Sequence, residues 1–231
     1  IDAFATGTLD SIRQFAQRSP ISKVFGGHLQ RVSVAGDASF TLNLNYPILR
    51  REDYTFTTRV RSSDGTLRID GFEPPITGLN GVVSISRDDI SSESLFGKFL
   101  GEPIEVNLQR AGADLPGYSV VAEVDGRATS AGLSAAFGDA LAKVIEGTTN
   151  YRGSIRFPRS DGEAAGPLQI DVRSDLDGMS VILPEPLTKE RSATRALSFS
   201  IDFLTATRIE SAGSLGDDLQ WSLAFLRNEM G

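Results

Sequence analysis

Cysteine is absent from this chain of 231 residues, and histidine and tryptophan occur once each. Without cysteine there are no disulfides, no thiolate nucleophile and no sulfur-bound metal. The compartment stays open, because a large secreted or periplasmic domain folds without disulfides. A lone histidine, His28 after Gly26-Gly27, cannot build a histidine metal site, and a Ser-His pair would need an activated serine. No Gly-x-Ser-x-Gly elbow supplies one, so His28 reads as a helix-terminal, partly exposed residue. No run approaches the roughly 20 apolar residues of a transmembrane helix. No basic-then-apolar leader opens the chain either. Clustered positive charge is also missing: the net charge is −7 and Lys and Arg are scattered along the chain, with no run longer than the pair Arg50-Arg51. Displacing counterions from a polyanion needs such a cluster, so nucleic acid is not an expected partner. The abrupt start at Ile1 and the stop at Gly231, straight after an apolar pattern, predict a piece of a longer protein whose anchor or signal lies outside it.

What is present is alternation. The opening segment is helical in spacing, with Leu9, Ile12, Phe15 and Ala16 on one stripe and Thr8 as N-cap. Ser19-Pro20 ends it, and a short turn carries Ile21, Val24 and Phe25. From Gln30 the period becomes two. Val32, Val34, Ala38, Phe40, Leu42 and Leu44 share one parity, while Ser33, Ser39, Thr41, Asn43 and Asn45 take the other. Successive side chains of a strand point to opposite faces, so one face is apolar and the other is Ser, Thr and Asn. Gly36-Asp37 inside the run predicts a bulge. The same alternation returns in Tyr54, Phe56 and Val60, in Ile104, Val106 and Leu108, and in Tyr118, Val120, Ala122 and Val124. It returns again in Tyr151, Ile155 and Phe157, in Leu168, Ile170 and Val172, in Leu197, Phe199, Ile201 and Phe203, and in Leu219, Trp221, Leu223 and Phe225. Ser63-Asp64-Gly65, Asp114-Leu115-Pro116-Gly117, Asp125-Gly126 and Asp161-Gly162 read as the turns between strands, which makes an antiparallel meander. Between Gly132 and Gly147 the period reverts to helical through Leu133, Ala136, Phe137, Leu141, Val144 and Ile145, and strands resume at Tyr151.

Chemistry has few places to reside. Asp175-Leu176-Asp177-Gly178 starts like a calcium loop, but its glycine comes too early and the closing Glu is missing, so it reads as a tight turn. Asp88 and Asp89 are adjacent and point apart, a poor acid–base couple and a good solvated turn. Phe96-Gly97-Lys98-Phe99-Leu100-Gly101 lacks the spacing of a phosphate loop. Pro74-Pro75 is expected to interrupt strand pairing, and Leu183-Pro184-Glu185-Pro186-Leu187 to cross a sheet edge. Trp221 shares parity with Leu219 and Leu223 and is expected in the core. The chain is therefore read as non-enzymatic, with no cofactor and no metal.

About a dozen strands with one apolar face each, and only two or three helical pieces to cover them, must bury that face somewhere. They fold onto a second sheet, close into a barrel, or curl around something apolar that is not protein. The expected class is mainly β with a few short helices: a long twisted antiparallel meander curled into an apolar groove, with a β-sandwich or partly open barrel as alternative. The organisation is one continuous elongated piece, with a helix and meander over 1–131 and again over 132–231.

Several glycine and proline elements occur together. They are Ser19-Pro20, Asn45-Tyr46-Pro47, Gly78-Leu79-Asn80-Gly81, Phe96-Gly97 with Leu100-Gly101-Glu102-Pro103, and Leu183-Pro184-Glu185-Pro186-Leu187-Thr188-Lys189. In this order, over about Ser19 to Lys189, they resemble the periplasmic region of the YhdP family, the large AsmA-like envelope proteins of Gram-negative bacteria. The resemblance implies a long sheet curled into an apolar groove. It also implies a parent chain anchored in the inner membrane and extending through the periplasm, and a part in moving phospholipid toward the outer membrane and keeping that barrier intact. The implied partners are phospholipid or another acyl-chain ligand and neighbouring segments of the same chain. The groove lining is then Phe40, Leu42, Leu44, Phe56, Val60, Ile104, Val106, Leu108, Val120, Val124, Ile155, Phe157, Ile170, Val172, Phe199, Ile201, Phe203, Trp221, Leu223 and Phe225.

Overall fold

The computed structural model describes residues 1–18, 32–49, 53–159, 166–205 and 207–226. His28, the Ser19-Pro20 corner, the turn expected at Ile21 to Phe25 and Asp161-Gly162 lie outside the described residues. Thirteen strands are found among the rest: β1 (Asp2–Thr8), β2 (Val32–Asn45), β3 (Thr55–Ile69), β4 (Phe72–Ser86), β5 (Ile90–Phe99), β6 (Glu102–Arg110), β7 (Tyr118–Thr129), β8 (Ile145–Pro158), β9 (Leu168–Ser174), β10 (Met179–Val181), β11 (Leu197–Phe203), β12 (Arg208–Leu215) and β13 (Leu219–Leu226). They are joined by two short α-helices, α1 (Leu9–Gln17) and α2 (Ser130–Phe137). The class is mainly β, as expected. Hydrogen-bonded neighbours follow chain order from β1 to β9 and then β11, β12 and β13, while β10 pairs with β8. The order does not join its ends, so the sheet is not a closed barrel.

The bulge expected near Gly36 is there, but its extra residue belongs to the partner strand. Between Ala35↔Thr66 and Asp37↔Ser63, β3 spends one residue more than β2. Ser63-Asp64-Gly65 is thus a bulge inside a continuous strand and not the expected hairpin turn, with Asp64 at φ 56°. Gly36 faces it at φ 109°, and a Cβ there would come within 2.9 Å of the Gly65 Cα. The slip also explains a change of parity: Phe56, Val60 and Ser62 share a face with Leu67 and Ile69.

Two further expectations are corrected, and one is met. Asp125-Gly126 lies inside β7 and not at a turn. The glycine clears space for a neighbouring ring, since a Cβ on it would meet the Tyr151 hydroxyl at 2.6 Å. Pro74-Pro75 interrupts strand pairing as expected: it lies within β4, whose pairing to β3 jumps from Phe72↔Ile69 to Ile76↔Leu67. The second helix ends at Phe137, because Gly138 turns the backbone to φ 107°; a single 3-10 turn, Leu141–Lys143, follows, and β8 begins at Ile145. Asp114-Leu115-Pro116-Gly117 is a turn as read, with the Tyr118 N–H bonded to the Leu115 carbonyl at 3.0 Å. Strand β1 was not read from the sequence at all.

Two compact units divide the chain. The first comprises Ile1–Gly97, Glu105–Ala122 and Phe157–Gly166, and the second Lys98–Ile104, Glu123–Arg156 and Pro167–Gly231. Each has its own apolar cluster. In the first, Ala16, Phe56, Ile85, Ile90 and Val120 are buried together. In the second, the cluster is Leu176, Met179, Val181 and Leu215.

Candidate functional site

Residues directly opposite in an antiparallel pair share a face, so the registers show which side chains align across strands. In the first unit one such row is Ala5–Phe40–Val60–Val83, the next is Ala3–Leu42–Thr58–Ile85, and Leu44 faces Phe56. The opposite face carries Phe4–Thr41–Arg59–Ser84 and Thr6–Ser39–Arg61–Val82. The one-sided apolar pattern therefore survives as rows that cross four strands. Phe40 and Phe56 are buried, and Leu42, Leu44 and Val60 are half-buried. Thr58 is a polar member of this face that the alternation did not mark; it is 1% exposed and its Oγ1 has no partner.

Helix α1 lies on this face. Thr8 caps it, its Oγ1 accepting from the Ser11 N–H at 3.2 Å. The Phe15 ring meets Phe40 edge-on at 5.6 Å between centroids. Ala16 enters the buried cluster, around which Leu42, Leu44, Leu108 and Phe157 pack. Between the helix and β1 remains a cleft of about 260 Å³, lined by Ala5, Thr6, Gly7, Ser11, Ile12, Phe15 and Phe40. Val106 and Val120 are buried, while Leu108 and Phe157 are half-buried.

The second unit repeats the row pattern. Ile155–Ile170–Ile201–Ser211–Leu223 is one row, Val172–Phe199–Gly213–Trp221 another, and Leu168–Phe203–Ile209–Phe225 a third. The opposite face is polar through Arg156–Gln169–Asp202–Glu210. Exposure grows toward β13 along the first and third rows: Ile170 and Phe203 are 4% and 3% exposed, whereas Leu223 and Phe225 are 51% and 53% exposed. Ile104, Val124, Ile155 and Ile170 are buried; Val172, Phe199, Ile201 and Trp221 are half-buried. Trp221 packs against the buried cluster, as the sequence predicts.

Part of this face is covered by the 182–196 segment, which contains the Leu-Pro-Glu-Pro-Leu-Thr-Lys element. Val181 and Lys189 exchange backbone hydrogen bonds at 2.9 Å, closing the loop at its base. The Lys189 side chain, in a residue only 5% exposed, donates Nζ to the Met179 carbonyl at 2.7 Å and to the Glu190 carbonyl at 3.0 Å. Burial holds its pKa below the usual lysine range, against the pull of Asp177 and Asp175. Arg195 donates to the Pro186 carbonyl at 2.9 Å and the Thr188 carbonyl at 3.2 Å, and pairs with Asp218. Leu183 and Leu197 thereby pack on the cluster. Sequence reading marked this loop as an edge crossing but did not find the two cations that fasten it.

The hydroxyls of Ser84, Ser134 and Tyr151 are buried without a hydrogen-bond partner. Arg156 and Asp171 approach to 2.6 Å on the polar face. Burial nonetheless raises the Asp171 pKa, with Arg156 opposing and Asp202 reinforcing the shift. Burial also pushes the Tyr151 hydroxyl up to about 12. Asp175 accepts the Asp177 N–H at 3.0 Å, the tight turn expected there. Among the described residues no group of three His, Asp or Glu side chains is placed to hold a metal ion, and no helix is long and apolar enough to cross a membrane.

The 183–189 stretch of the Pro-containing loop is one of the glycine and proline elements on which the resemblance rests. A family model described as "YhdP protein" matches residues 1–230. This chain belongs to the YhdP family. It is 24% identical over 227 residues to the intermembrane phospholipid transporter YhdP of Escherichia coli (strain K12), covering 98% of this chain. It spans 18% of that protein's length. No solved structure matches the chain.

Proposed function

We propose that this chain is a non-enzymatic section of a periplasmic bridge that shields phospholipid acyl chains in transit between the inner and outer membranes, and so supports the outer-membrane barrier. In this reading the parent protein is anchored in the inner membrane of a Gram-negative bacterium. The stretches 1–131 and 132–231 are successive lengths of one elongated β-rich piece. The twenty lining residues act together as an apolar surface. The observation that carries the reading is the row pattern: apolar side chains aligned across successive strands on one face, with Leu223 and Phe225 left half exposed. Burying each methylene is worth about 0.8 kcal/mol, so an acyl chain lying along such rows gains several kcal/mol without any single indispensable contact. Similarity to a protein named for phospholipid transport supports the same ligand.

Native mass spectrometry of protein purified without detergent tests this. Phospholipid adducts are expected, together with bound apolar dye that added phospholipid displaces. Protein that is lipid-free and dye-free under both conditions would sink the reading. A structural module acting through its strand edges is the second reading, favoured by β13, whose residues Leu219–Leu226 include no charge and no proline to protect an edge. It predicts concentration-dependent association that a Lys placed at Ser222 abolishes, with no lipid bound.

A further inference from the structure

We infer that the cleft between β1 and α1 takes a segment of a single acyl chain, with the helix as its roof; this rests on the phospholipid reading above and gives it a defined entry point. Ala5 and Gly7 stand opposite Phe40 and Ala38, on the face that is buried in β2, yet both are exposed. The helix packs on β2 through Phe15 against Phe40. A Cβ built on Gly7 meets nothing within 4 Å, so the floor is open as well as small. Phe40 from β2 and Ile12 and Phe15 from α1 supply its large apolar side chains.

The chemistry selects the occupant. Among the described residues no charged side chain lines the cleft, and the side-chain polar groups there are the Thr6 and Ser11 hydroxyls, so an ion or a headgroup finds no counter-charge among them. Its roughly 260 Å³ falls below the about 300–1,000 Å³ of sites that enclose a drug-sized molecule, which suits part of one unbranched chain and not a whole two-tailed lipid. The cleft also continues the Ala5–Phe40–Val60–Val83 row, so a chain seated there enters the apolar face directly. The roof is able to lift: a helix of nine residues is marginal by itself, and Ala16 is its one buried residue.

Because Trp221 is the sole tryptophan, indole quenching separates the two claims. The probe is monomeric lysophosphatidylcholine with a brominated chain, kept below its micelle concentration. One protein is the unaltered chain, reporting at Trp221; the other carries Phe15→Trp in a Trp221→Phe background, with Ser11→Trp as a second reporter should the first disturb folding. Loss of emission is expected at position 15, with affinity rising about fourfold per added methylene until the cleft is full. Gly7→Leu, which fills the open floor, is expected to abolish quenching at position 15 and leave that of Trp221 intact. Quenching of Trp221 without quenching at positions 15 or 11 overturns the cleft and leaves the broader reading standing; quenching at neither overturns both. Quenching at position 15 that Gly7→Leu leaves unchanged puts the chain elsewhere and also overturns the cleft. A blue shift that grows with protein concentration and ignores the probe would put a second copy there instead, and would likewise overturn the cleft as an acyl-chain site.

Discussion

The two units cover the same kind of apolar face by different means. In the first, a nine-residue helix rests on Phe40 through a ring that is itself 49% exposed, and inserts Ala16. In the second, a loop is fastened over the cluster by directional bonds from Lys189 and Arg195 to backbone carbonyls. Contact between apolar surfaces is non-directional and roughly proportional to area, so a small helix shifts at modest cost. A buried ammonium is different: moving it strands the carbonyls it serves. The first cover is thus the adjustable one and the second the fixed one. Beyond the fixed cover, the rows open toward β13.

The sharpest way to break this contrast is to place a charge on each face. Phe40→Glu puts a carboxylate where the ring is buried under α1, and should cost on the order of 3–5 kcal/mol, since a buried charge without a partner is left uncompensated. Leu223→Glu, at a side chain already half exposed, should cost under about 1 kcal/mol. Urea titrations followed by circular dichroism measure both. Equal costs would mean that the second unit's face is not open at β13.

The fasteners come next in size. Lys189→Met keeps the apolar stem and removes the donor, leaving one buried and one partly buried carbonyl unserved, for an expected loss of about 2–3 kcal/mol. Phe15→Ala removes a half-exposed ring and should cost about 1 kcal/mol. Hydrogen exchange supplies the local readout: Lys189→Met should raise exchange at Met179 and Val181, and Phe15→Ala at α1. If Phe15→Ala is the costlier of the two, the helix is the fixed cover and the assignment reverses.

How much of this was legible from the sequence follows from what alternation encodes. Period two gives the face of every residue in a regular strand, so Phe40, Ile170 and Phe203 could be assigned without coordinates, as could the Thr8 cap. It does not give register, and the bulge at Ser63-Asp64-Gly65 looked like a hairpin because the same residue types serve both geometries. Strand β1 escaped because Ala3, Ala5 and Gly7 are too small to signal an apolar face; Ala5 and Gly7 line the helix cleft and not a filled core. The Lys189 and Arg195 bonds escaped for another reason. A side chain reaching backbone carbonyls depends on where the loop folds back, and residue types alone do not carry that.

The smallest effect is electrostatic and differs in sign between the units. Asp10, at the start of α1, accepts from Arg13 at 2.9 and 2.6 Å and from Gln14 at 2.8 Å, and these bonds hold its carboxyl below 3.8. A folded pKa below the unfolded one means a contribution complete above the unfolded value and lost as pH falls through the folded value. Asp171 in the second unit is the reverse case: burial lifts its carboxyl above 3.8, so its ionised form is penalised and the penalty is relieved as pH falls through the raised value. Asp10→Asn should therefore lose its deficit relative to the unaltered protein between about pH 7 and about pH 3, while Asp171→Asn should fall progressively behind it over the same range. Denaturant midpoints measured at intervals across that range give the two slopes. Opposite signs mean that acidification loosens the helical cover and relieves strain on the polar face of β9; slopes of one sign would remove the distinction between the two units at this site.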